Sequence, residues 1–65
     1  MSDSKFKIYN NIEEKIIFEG DGSELIEFTE IIKQENEDEL VILSVSDAIK
    51  YIENYCYNLY LIIQK

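Results

Sequence analysis

Apolar and polar residues alternate through Phe6-Lys7-Ile8-Tyr9 near the start of the chain, and Lys15-Ile16-Ile17-Phe18-Glu19 is β-branched and aromatic. Both stretches read as strands. Asn10-Asn11 between them tolerates left-handed backbone and marks a turn, which makes the pair a hairpin. The hairpin is expected to end at Gly20-Asp21-Gly22, which holds the only glycines of the chain and so supplies backbone freedom to reverse into a helix.

The helix is expected to begin with Ser23 as its N-cap and with Glu24 and Glu27 near its positive end. Leu25, Phe28 and Ile32 fall on one helical face, Ile31 lies at its edge, and Glu27 and Glu30 lie opposite. Ile26 breaks the pattern, so either the helix is covered on that side or the segment starts as a strand. Gln34-Glu35-Asn36-Glu37-Asp38-Glu39 lacks any apolar residue and reads as a solvated connection.

Leu40-Val41-Ile42-Leu43-Ser44-Val45 is a short apolar run, read as the buried central strand of a small sheet. Ser46 or Ser44 then caps a last helix with Asp47 in its first turn. Val45, Ile49, Ile52, Cys56, Leu59 and Ile63 step by three and four, an apolar seam that favours one helix to the end of the chain. Ala48, Tyr51, Tyr55 and Ile62 form a row beside it, Tyr60 flanks its other edge, and Tyr57 and Leu61 project away. The alternative is a strand over 55–64, because that stretch is rich in aromatic and β-branched residues. The expected fold class is α+β, a single domain over 1–65 with 1–4 disordered. Its order is ββαβα, with the helices on one face of a three-stranded sheet.

Sixty-five residues bury only about 60% of the surface the unfolded chain exposes, so a chain of this size commonly recruits a disulfide, a metal or a partner. One cysteine and no histidine exclude an internal bridge and the usual zinc ligand set. Self-association or a protein partner is what remains unless idealised packing alone suffices, and a homodimer through the C-terminal helix is expected, with Tyr57, Tyr60 and Leu61 as its apolar contact. No signal peptide or membrane span is apparent, which fits a cytoplasmic setting. Arginine, histidine, proline and tryptophan are absent while lysine, asparagine and isoleucine abound. That bias suits AT-rich codons, as in a low-GC bacterium, its phages or its plasmids.

The net charge is −8, which argues against nucleic acid or an anionic membrane as a direct ligand. Its location matters more than its size. Residues 1–19 carry a net of −1, residues 41–65 a net of zero and residues 20–40 a net of −7. Glu24, Glu27, Glu30, Glu35, Glu37, Asp38 and Glu39 therefore form a candidate acidic face.

No catalytic set emerges. The commonest general base is missing, Cys56 lacks an imidazole to activate it and sits on the apolar seam as a small hydrophobe, and Gly20-Asp21-Gly22-Ser23 lacks the lysine and spacing of a phosphate loop. The acids of 35–39 do not follow a calcium-loop spacing. No cofactor or metal is expected. The leading expectation is a non-enzymatic interaction protein, an inhibitor whose carboxylates imitate nucleic acid before a basic nucleic-acid-binding protein. The alternative is a structural or regulatory subunit that dimerises, with its acids serving solubility.

Overall fold

A computed structural model describes residues 5–64. The chain runs β1 (Lys5–Asn10), β2 (Lys15–Gly20), α1 (Gly22–Glu35), α2 (Val45–Tyr55), β3 (Leu59–Gln64). The class is α+β, with two helices and one open antiparallel sheet of order β2-β1-β3. The expected disorder at 1–4 lies outside the described residues.

The hairpin forms where the alternation places it. Asn10 closes β1, and its Oδ1 accepts the amides of Ile12 at 2.8 Å and Glu13 at 2.9 Å. Glu14 completes the turn at φ 56°, a left-handed position that a four-residue hairpin loop commonly needs. The register slips between Ile8, opposite Phe18, and Tyr9, opposite Ile16, leaving Ile17 as the bulged residue of β2.

Asp21 caps α1 instead of Ser23. Its Oδ1 accepts the Glu24 amide at 2.9 Å, and Glu24 Oε1 accepts the Asp21 amide at 3.1 Å. This reciprocal box satisfies two helix-end donors, and it needs its acid three residues along, which Asp21 has and Ser23 does not. The two glycines are not present for unusual dihedrals, since neither has a positive φ. They allow close approach: a Cβ on Gly20 would lie 2.9 Å from Glu24 Oε1, and one on Gly22 would lie 2.8 Å from Val45 Cγ2. Ile26 is half-buried against the core edge, so the helix is covered on that side.

Two expectations are corrected. Leu40–Val45 is not the central strand: residues 38–43 form an irregular connection, and Val45 already belongs to α2. Strand β1 is central, with β2 on one side and β3 on the other, so the sheet leaves no slot beside it. The connection is pinned by side chains, the Leu40 amide by Asp38 Oδ1 and the Leu43 amide by Asp47 Oδ2, both at 3.1 Å. The seam likewise does not continue as a helix. Helix α2, capped by Ser44 through the Asp47 amide at 3.2 Å, ends at Tyr55 with Cys56 as its C-cap. Leu59 onward pairs with β1 as β3, which is the alternative reading of the terminal segment.

The core lies between the sheet and the helices. Phe6 and Ile8 of β1 meet Leu25 of α1 and Ala48, Tyr51 and Ile52 of α2, with Cys56 at its edge. Phe18 and Phe28 pack with ring centroids 4.8 Å apart. Thr29 is fully buried, and its hydroxyl donates to the Leu25 carbonyl at 2.8 Å. The buried face of α2 is Ala48, Tyr51 and Ile52, with Val45 and Ile49 of the expected seam only partly buried beside it.

Candidate functional site

Helix α1 turns its apolar side, Leu25, Thr29 and Ile32, to the core, which sends Glu27, Glu30 and Gln34 to the opposite side. The expected acidic face does not all have one role. Glu24 is engaged in the capping box, and Glu30 pairs with Lys33 at 3.1 Å. Asp38 accepts the Leu40 amide. Among the described residues, the side chains of Glu27, Glu35, Glu37 and Glu39 have neither a hydrogen-bond nor an ion-pair partner, and all four are exposed. Lys33 is the only cation in the segment. Ile31 lies among these acids and is 56% exposed.

The end of α1 is closed in a conformation that glycine favours. The Glu37 amide bonds the Gln34 carbonyl at 3.1 Å and the Asp38 amide bonds the Lys33 carbonyl at 2.9 Å, the paired bonds of a Schellman motif. That places Glu37 at φ 54°. A β-carbon in this region costs roughly 1–2 kcal/mol. The sequence gives no hint of the strain, since nothing in a run of polar residues marks which one must turn left-handed.

The loop that follows was expected to be buried, yet Val41 is 66% and Leu43 81% exposed, with Leu40 exposed beside them. Only Ile42 reaches the core edge. Leu40, Val41 and Ile42 wall an open groove of about 230 Å³ against Tyr51, Tyr55 and Lys50 of α2. The Tyr51 and Tyr55 rings lie 5.1 Å apart, and the Tyr51 hydroxyl accepts from the Asn36 side chain at 3.3 Å. The acidic surface therefore borders an apolar one.

The expected apolar contact set Tyr57, Tyr60 and Leu61 is divided. Tyr57 stands in the turn before β3, 92% exposed. Tyr60 is exposed on the sheet face away from the helices, next to Tyr9, which in turn lies opposite Ile16. Leu61 points the other way, half-buried against the core. The correction follows from period: neighbouring residues of a strand face opposite sides, whereas a helix would have placed Tyr57 and Leu61 together.

Cys56 is buried, and burial pushes its thiol up from the ordinary value, so the reactive thiolate is scarce at neutral pH. Among the described residues no three metal-ligating side chains are grouped to hold an ion, and no helix is long and apolar enough to cross a membrane. No family model, curated protein or solved structure matches the chain.

Proposed function

We propose that this protein is a non-enzymatic interaction module that presents the acidic surface of α1 and the 36–39 turn to a basic protein. One observation carries the reading: among the described residues Glu27, Glu35, Glu37 and Glu39 stand exposed with no cation against them, on a segment whose one lysine is committed to Glu30. Unneutralised charge of one sign raises the local field and speeds encounter with a partner of the other sign. Adjacent Leu40, Val41 and Leu43 supply the apolar centre that a charged patch alone lacks. Glu37, held in left-handed backbone where glycine would relieve strain, puts one of these carboxylates at the tip of the turn.

The unpaired helix carboxylates Glu27 and Glu35 stand about 12 Å apart along the axis of α1, and Glu37 and Glu39 continue them past its end. A row of this kind suits a groove built for phosphates, and an inhibitor of a nucleic-acid-binding protein is the specific form of the proposal. The test is competition. The protein is titrated against basic DNA-binding proteins preloaded with labelled duplex DNA, at low and high salt. Displacement that weakens with salt, and by about tenfold or more in Glu27→Lys/Glu35→Lys/Glu39→Lys, is expected, since each lost charge contact removes part of a salt-sensitive attraction. Equal behaviour of the native and reversed chains would overturn it.

A further inference from the structure

We infer that the free edge of β3 pairs with the β3 edge of a second copy, making one six-stranded antiparallel sheet across a two-fold axis. The sheet has two edges, and they are built differently. Strand β2 carries Lys15, Glu19 and the bulge at Ile17, which are devices that deter strand addition. Strand β3, Leu59-Tyr60-Leu61-Ile62-Ile63-Gln64, has no charge, no proline and no register slip. An edge of that composition is a template for another strand.

The hydrogen-bond parity is fixed. The Asn11 amide donates to the Asn58 carbonyl at 2.8 Å, in the register that pairs Tyr9 with Tyr60 and Lys7 with Ile62. In an antiparallel ladder bonded pairs alternate, so Tyr60 and Ile62 bond to β1 while Leu61 and Ile63 turn their amides and carbonyls outward. The Leu59 amide, also turned away from β1, bonds the Cys56 carbonyl at 3.2 Å, leaving the Leu59 carbonyl free. A two-fold axis at Leu61 matches this set to itself. Leu61 meets Leu61 of the second copy, and Ile63 donates to the second copy's Leu59 carbonyl. Tyr60 then faces Ile62 of the other copy on the open side, an aromatic and β-branched pair of the kind that stabilises sheets.

Charge favours a second copy as the occupant. The −7 excess lies in residues 20–40, on α1, which packs over β2 and β1, whereas α2 packs over β3. Joining the molecules at β3 therefore brings two neutral edges together and leaves the acidic helices on the outer strands. The surface proposed for a basic partner remains free, so the two proposals stand or fall separately. A ladder of about 17 Å is a small interface, in the class below about 1,200 Å² that forms weak complexes. The dimer is therefore expected to dissociate on dilution.

Sedimentation equilibrium from low micromolar to millimolar protein, with amide exchange followed by NMR, tests this. Dimer formation is expected to be unchanged or strengthened by salt, opposite to the acidic-face competition. The Leu61 and Ile63 amides gain protection as concentration rises, while Tyr60 and Ile62 are protected throughout. Ile63→Pro removes an outward donor without touching the bonds to β1 and is expected to weaken association at least about tenfold. Ile63→Lys places a charge on the edge to the same effect if circular dichroism shows the proline variant unfolded. Leu43→Ser, in the exposed loop, leaves association unchanged. A monomer at every concentration, a dimer that a folded edge variant does not weaken, or unprotected Leu61 and Ile63 amides in the dimer would each overturn the proposal.

Discussion

Replacing Gly22 by alanine adds one methyl group where the first turns of the two helices meet. The new Cβ would lie 2.8 Å from Val45 Cγ2, about 1 Å inside an optimal carbon contact of about 3.5–4.0 Å. Val45 cannot swing aside cheaply, because it is the first residue of α2 and a β-branched side chain in a helix has one strongly preferred rotamer. Overpacking of this kind costs about 1–3 kcal/mol. Against it stands the ordinary gain from replacing glycine in a helix, about 0.4–1 kcal/mol, which applies here because Gly22 has no positive φ. The net expectation is a loss of about 1–2 kcal/mol, or a fall in Tm of about 4–8 °C per kcal/mol for a domain this small.

A double-mutant cycle isolates the cause. Val45→Ala removes the methyl group that Gly22 avoids, and it costs about 1 kcal/mol by itself from lost burial. In that background Gly22→Ala is expected to stabilise by about 0.4–1 kcal/mol, giving a coupling of about 1–3 kcal/mol between the two sites. Urea unfolding of the four proteins, followed by circular dichroism, measures each free energy. Equal destabilisation by Gly22→Ala in both backgrounds would refute close approach as the reason for glycine, and stabilisation in the native background would show that the helices have room to spare.

Two further substitutions test local assignments. Asp21→Ala is expected to cost about 1 kcal/mol by opening the capping box, while Ser23→Ala, within the first turn, costs less than about 0.5 kcal/mol, a difference read by the same urea unfolding. Glu37→Gly is expected to raise stability by about 0.5–1 kcal/mol, the left-handed strain relieved less the added freedom of the unfolded chain. If that variant also displaces DNA less well in the competition assay, stability and contact are being traded at one residue. A fall in Tm for Glu37→Gly would show that φ 54° costs the native chain nothing.

The parts of the fold that local pattern predicts are those whose partners are close in sequence. The hairpin follows from the alternation before Asn10-Asn11 and the β-branched and aromatic run after it, and α1 from the spacing of Leu25, Phe28 and Ile32. The acidic surface was legible because its residues are contiguous. Its division into capping, paired and free carboxylates was not, since that depends on which backbone amides and lysines come within reach. Ser23 was a reasonable cap by type, yet Asp21 has the acid three positions ahead that completes a reciprocal box.

Leu40–Val45 and Leu59–Ile63 show where sequence stops and tertiary structure decides. Both are short apolar runs compatible with a buried strand, although the seam through Leu59 and Ile63 favours a helix for the second. Strand β1 has two sides only, and the hairpin takes one of them. The competition for the other side is won by the terminal segment, which places Leu59, Leu61 and Ile63 toward the helices and Leu59 to Gln64 in register with β1, while the earlier run is held out as a loop by Asp38 and Asp47. The sequence by itself determined the hairpin, α1, the place of the charge and the lack of a histidine-based site, because those are properties of neighbouring residues. Only the tertiary structure decided which apolar run entered the sheet and which faces stayed bare, because a strand exists only through a partner distant in sequence.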